Sequence, residues 1–114
     1  MGVKPTRWYS NKQERNIVKS VGGKQTSNSG ATAFIKGDIL TDQFLIEAKT
    51  TTTERENFTI KREWLVKMQE EAFAMGKPYS ALAFDFGDGQ NHYVISEKLF
   101  KMLVNILAEE DDLK

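Results

Sequence analysis

Hydrophobic and polar positions alternate along this chain with two periods, and the changes of period divide it into elements. Ile17, Val18 and Val21 recur at helical spacing after Ser10, which can cap a helix over about residues 11–21. Gly22-Gly23 ends that helix. Residues 24–30 are polar, with Ser27, Asn28, Ser29 and Gly30 together, and read as a loop; a strand starts near Ala33. Residues 36–49 alternate with period two on either side of Asp42-Gln43, the pattern of a hairpin. A polar stretch over residues 50–58 reads as a loop. Ile60, Trp64, Met68, Ala72 and Met75 then mark one stripe of a second helix over about residues 59–75, stopped by Gly76-Lys77-Pro78. Residues 79–86 alternate as a strand with Leu82, Phe84 and Phe86 on one face. Gly87-Asp88-Gly89 turns the chain, residues 92–95 return as a strand, and Ser96 caps a last helix through Leu107. That helix would turn Leu99, Leu103, Ile106 and Leu107 inward. The predicted order is α-β-β-β-α-β-β-α, an α/β domain with a mixed central five-stranded sheet flanked by helices.

The hairpin carries a pattern that packing alone does not explain. On its second strand Glu47 and Lys49 share one face, while Phe44, Ile46 and Ala48 share the other. A two-residue loop at Asp42-Gln43 pairs Ile39 with Ile46 and sets Asp38 opposite Glu47, so one face is acidic and the other apolar. A loop of odd length would pair Asp38 with Ile46 and mix the faces, which is penalised wherever one face is buried. Asp38, Glu47 and Lys49 then form one cluster: two oxygen ligands for a hard divalent ion, beside an ammonium group. Magnesium suits such a site. The plainer alternative is a surface hairpin with a solvated Glu–Lys pair. Glu14 is a second anomaly. It precedes Ile17, Val18 and Val21 by three, four and seven residues and so lies on their apolar stripe, with Gln13 as the neighbouring polar alternative.

Composition narrows the chemistry. The 114 residues make one domain with a modest core. The absence of cysteine excludes disulfides and thiolate metal sites, and the single His92 has no histidine partner for metal or nucleophile chemistry. Trp64 and the methionines of the second helix read as core fillers. No apolar run is long enough to span a bilayer and no signal peptide is visible, so a cytoplasmic protein without membrane attachment is expected. A net charge of zero hides an asymmetry. Residues 1–36 hold seven bases against Glu14 alone, a net of +6, whereas residues 78–114 hold three bases and seven acids, a net of −4. The basic third, with Trp8 and Tyr9 among its charges, suits a phosphate backbone. Its candidate contacts are Arg7, Trp8, Lys12, Arg15, Lys24 and Lys36. Residues 1–9 read as a basic arm and residues 108–114 as an acidic tail.

Four short motifs give these residues a family context: Glu14-Arg15-Asn16-Ile17-Val18 on the first helix, Ser29-Gly30 in the loop after Gly22-Gly23, Gly37-Asp38-Ile39, and Glu47-Ala48-Lys49 followed by Thr50-Thr51. In this order, over roughly residues 9–107, the chain resembles the Holliday junction resolvases of archaeal and phage type, within the PD-(D/E)XK nuclease superfamily. The resemblance implies a restriction-endonuclease-like core and a magnesium-dependent endonuclease, with manganese as a substitute ion. It implies that Asp38 and Glu47 hold the metal with help from the Ala48 carbonyl, and that Glu14 completes the acidic cluster. It gives Lys49 the task of orienting or deprotonating the attacking water, and Ser29 a contact with the substrate backbone or a metal-bound water. It also implies a homodimer acting on DNA, with four-way junctions as substrate, in a host cytoplasm if the chain is phage-encoded. Gly37 departs from the family's proline, which affects local stiffness and not ligand chemistry. Phe34, Phe44, Phe58, Phe73 and Tyr79 form an aromatic surplus from which an interface could be built. A nicking or other DNA endonuclease of the same superfamily is the alternative. A non-catalytic DNA-binding module on the same fold is a further one, though it should have lost one of Asp38, Glu47 and Lys49.

Overall fold

A computed structural model describes residues 6–26 and 38–112. The element order is α1 (Thr6–Val21), β1 (Lys24–Gln25), β2 (Ile39–Leu40), β3 (Phe44–Lys49), α2 (Arg62–Ala74), β4 (Tyr79–Phe84), β5 (His92–Val94) and α3 (Glu97–Asp112). The strands form one open sheet in sequence order, with β3 and β4 parallel and every other neighbouring pair antiparallel. The class is therefore α/β with a mixed five-stranded sheet and three helices, as the alternation predicts. The parallel join needs a crossover, and α2 supplies it.

Alternation along β3 divides the core into two layers. Ile46 packs with Ile17, Ile39 and Ala83 under α1, and Leu45 packs with Met68, Ala72 and Leu82 under α2. Ile17, Ile39, Leu45 and Leu82 are wholly buried, each contributing roughly 1.5–3 kcal/mol through removal from water. The hairpin register is the one that parity predicts: Ile39 lies opposite Ile46 and Leu40 opposite Leu45. The turn at Asp42-Gln43 is closed by Thr41, whose N–H donates to the Phe44 carbonyl at 3.0 Å and whose Oγ1 accepts from the Phe44 N–H at 2.9 Å.

Several boundaries differ from expectation. α1 begins at Thr6 and not after Ser10, so the second half of the expected arm is helical and Ser10 lies inside the helix. The rings of Trp8 and Tyr9 meet edge-on at 4.9 Å, and Lys12 Nζ lies 5.3 Å over the Trp8 ring, a pairing four residues apart that ties the first turn to the next. Residues 24–25, expected in a loop, form the edge strand β1. Gly23 adopts φ 90°, and a Cβ there would lie 2.6 Å from the Leu40 carbonyl oxygen, so glycine lets the chain turn back tightly against β2. A two-residue polar edge strand leaves no hydrophobic alternation to read. The strand expected near Ala33 lies outside the described residues.

α2 starts at Arg62, later than expected, because Lys61 is extended. Ile60 precedes the cap and still packs in the α2 layer beside Leu65, the arrangement of a hydrophobic staple. At its other end the Gly76 N–H donates to the Phe73 carbonyl and the Lys77 N–H to the Ala72 carbonyl, a Schellman closure. Ser96 caps α3 as predicted, its Oγ accepting from the Leu99 N–H at 3.1 Å. The helix then runs to Asp112, so residues 108–112 of the expected acidic tail are its final turns.

The inward face predicted for α3 is not found. Leu99 is buried, but Leu103, Ile106 and Leu107 are exposed. Both faces of the short sheet already have a helix, α1 on one and α2 on the other, and nothing remains for the length of α3 to cover. The aromatic surplus is mostly absorbed internally: Phe44 packs on Tyr79 at 5.3 Å and Phe58 stacks on Phe84 at 5.0 Å. Phe73 alone of those described stands out, 80% exposed, and Phe34 lies outside the described residues. Among the described residues no helix is long and apolar enough to cross a membrane.

Candidate metal and nucleic-acid site

Leu40 and Leu45 face the α2 layer, so alternation sets Asp38, Glu47 and Lys49 on that same face. Asp38 continues the ladder past β2. Its carbonyl accepts from the Thr26 N–H at 2.8 Å, and its own N–H donates to Thr26 Oγ1 at 3.1 Å. Thr26 thus satisfies both backbone groups of the residue, which is 3% exposed. Lys49 Nζ lies 3.6 Å from Glu47 Oε1 and 4.5 Å over the ring of Trp64, which fixes the ammonium between a carboxylate and an aromatic face.

The Asp38 carboxyl is pushed up to about 8. Burial is the largest cause, the charges of Glu47, Glu71 and Glu14 add to it, and Lys49 opposes them. Burial likewise raises Glu14, partly offset by the Gln25 side-chain amide, which donates to Glu14 Oε1 at 3.2 Å. Glu71 is raised by burial and by Glu47, with Lys67 and Lys49 opposing. Four carboxyls therefore share one negative neighbourhood with too few cations to balance it.

Glu71 was not expected. It lies seven residues after Trp64 and three after Met68, on the same stripe of α2, and that signal matches the one that singles out Glu14 on α1. Glu14 reaches the group from the opposite layer: it sits on α1, beside β1, yet its charge is felt at Asp38. Gln13 has a separate task. Its Nε2 donates to the Lys49 carbonyl at 2.7 Å, to the Ala83 carbonyl at 3.5 Å and to Asn91 Oδ1 at 3.0 Å, pinning α1 to the ends of β3 and β4. Two of those acceptors are carbonyls, so the amide cannot be turned over. Asp85, also unexpected and 5% exposed, joins the segment after β3 to the β4–β5 turn by accepting from Thr50 Oγ1 at 2.6 Å and from the Gly87 N–H at 3.1 Å.

The donor set fits a hard cation. Among the described residues no three histidine, cysteine, aspartate or glutamate side chains converge closely enough to enclose a metal. Asp38, just before β2, and Glu47 on β3 remain as a pair in register. Magnesium takes one or two carboxylates and fills its other positions with water and phosphate oxygens, so this pair suffices. The charge crowding at Asp38 is what a bound cation would relieve.

The expected nucleic-acid contacts are partly placed. Trp8, Lys12 and Arg15 recur at four and three residues on α1, and Lys19 extends the row. All four are exposed, forming one basic stripe with an aromatic ring at its start. Lys24 is exposed on the edge strand β1. Arg7 belongs to the first turn of α1. Ser29 and Lys36 lie outside the described residues. Compared with models of known protein families, with curated proteins and with solved structures, the chain matches none.

Proposed function

We propose that the chain is a magnesium-dependent DNA endonuclease of the PD-(D/E)XK type, with a restriction-endonuclease-like core, that resolves four-way junctions as a homodimer in the cytoplasm. The observation that carries the reading is the hairpin register, which sets Asp38 across from Glu47 with Lys49 two residues further on the same face. Asp38 and Glu47 would hold the ion, and Glu14 adds negative charge from the neighbouring layer. When bound, magnesium supplies an activated water and offsets the charge that develops on the phosphate. Lys49, held by Glu47 and Trp64, presents its ammonium to the attacking water or to a phosphate oxygen. The basic stripe of α1 holds the backbone of the substrate without reading its sequence. Retention of Asp38, Glu47 and Lys49 together favours catalysis over a binding-only module. The choice of junctions over other DNA rests on the sequence resemblance.

The test is cleavage of a synthetic four-way junction beside a matched linear duplex, with magnesium present. Paired nicks in opposed strands of the junction, with the duplex spared, are expected. Equal cutting of both would replace resolution with general nicking, and intact DNA in both would remove the nuclease reading.

A further inference from the structure

α3 is apolar over more of its circumference than its own domain uses. At 100° per residue, Met102, Leu99, Ile106, Leu103, Leu107, Phe100 and Val104 form one arc of roughly 200°, where a helix covering a core needs about half that. Leu99 is buried and Met102 half-buried. Every residue from Leu103 to Asp112 is exposed, including Leu103 at 42%, Val104 at 47%, Ile106 at 48% and Leu107 at 61%. Beside the start of the helix runs a groove of about 570 Å³, lined by Ala72 and Phe73 of α2 and by Tyr79, Lys98, Leu99 and Met102. Phe73, the most exposed large apolar side chain among the described residues, stands at this groove. Leu99 and Met102 belong both to the groove and to the arc, so the exposed apolar side chains of α3 continue from it, an exposure of a kind that monomers seldom leave open.

The charges on the helix say what covers it. Glu109, Glu110, Asp111 and Asp112 crowd its last turn, with no basic residue among them. The negative end of the helix dipole lies there, so these acids are misplaced for a solitary helix. Lys98 and Lys101 outnumber Glu97 in the first turns, near the positive end. A second copy of α3 laid antiparallel corrects both faults at once. Each acidic turn then meets the positive end of the partner's α3, where Glu109 lies opposite the partner's Lys98 because both flank the same edge of the arc, and the two apolar arcs close on each other. The arrangement is self-complementary, as a twofold interface must be.

We infer that α3 is the surface through which two copies of this chain pair, with the helices antiparallel and each acidic end seated beside the groove between α2 and α3 of its partner. The pairing does not depend on the nuclease reading. A dimer formed elsewhere on the surface would leave that reading standing and overturn this one.

The test is solution mass of the full chain, with helix content followed by circular dichroism. The wild type is expected at twice 13.0 kDa at micromolar concentration. Phe100→Glu and Leu107→Glu, both at exposed positions, should each weaken pairing by about 30-fold or more with helix content kept. Lys98→Glu should weaken pairing, as should Glu109→Lys, and the two changes in one chain should restore the dimer. Direction is read by cross-linking, since the chain has no cysteine of its own. Leu103→Cys, near the centre of an antiparallel pair, should form a disulfide dimer, while Glu110→Cys should not. A monomeric wild type, a dimer indifferent to Phe100→Glu and Leu107→Glu, or a Glu110→Cys chain that cross-links as readily as Leu103→Cys would overturn the inference.

Discussion

The β2–β3 hairpin and helix α3 are both two-faced, and they meet different fates. In β3 each apolar side chain finds a helix, Leu45 under α2 and Ile46 under α1, and the charged positions Glu47 and Lys49 gather at one end with Asp38 and Trp64. In α3 Leu99 is buried, while Phe100, Leu103, Val104, Ile106 and Leu107 remain exposed. A strand inside a sandwiched sheet has both faces closed by its own domain, so a residue out of pattern there must be explained within the chain. A helix at the margin has one short contact, and its remaining pattern describes a surface outside the domain.

The largest expected effect separates the charged face of the hairpin from its turn. Asp38→Asn and Glu47→Gln should each lower DNA cleavage by about 100-fold or more while leaving DNA binding unchanged, since each removes a ligand charge and no backbone contact. Asp42→Asn, in the turn, should cut normally. Binding and cleavage that fall in parallel would mean that these residues hold the fold and not an ion.

Core substitution sharpens the contrast with α3. Leu45→Ala should cost about 2–5 kcal/mol in urea unfolding, because a wholly buried side chain leaves a cavity between β3 and α2. Leu107→Ala, measured dilute enough to keep the chain monomeric, should cost no more than about 0.5 kcal/mol. Equal costs would show that α3 belongs to the domain core.

A pH series tests the crowding of carboxyls. Asp38 binds its proton more tightly folded, at about 8, than at its ordinary value of 3.8. Below 3.8 both states hold that proton and the stabilisation is complete; it is lost as pH rises through 8. Unfolding free energy of the metal-free chain should therefore fall across this window, by on the order of a few kcal/mol. Glu14 and Glu71 act in the same sense. Asp38→Asn should flatten the slope and stabilise the chain at pH 8, so a destabilised variant there would contradict the cause given.

The smallest effect concerns α1. Lys12→Ala should reduce the slope of log affinity against log salt by about one unit, as expected for one lost phosphate contact. An unchanged slope would take the stripe of Trp8, Lys12, Arg15 and Lys19 out of the DNA path.

What could be read from sequence follows the same division. The hairpin register was legible because a one-residue slip would have put Asp38 opposite Ile46, and Glu14 stood out because it interrupts an apolar stripe. Glu71 interrupts the Trp64–Met68 stripe in the same way and was as findable. β1 was not, since two polar residues at a sheet edge carry no alternation, and its turn depends on Gly23 clearing the Leu40 carbonyl. The roles of Gln13 and Asp85 depend on partners 36 and 35 residues away, which no local pattern encodes. For α3 the pattern correctly gave a helix with an apolar face. It could not say that α1 and α2 would leave that face uncovered.

The central claim is that the charged face of the hairpin is a built cation site. Uptake of Mn²⁺ by the purified chain, followed by the loss of the free-ion signal in electron paramagnetic resonance, tests it without reference to substrate. The wild type should bind the ion and Asp42→Asn should match it, while Asp38→Asn and Glu47→Gln should not bind. Equal uptake by all four chains would contradict the account.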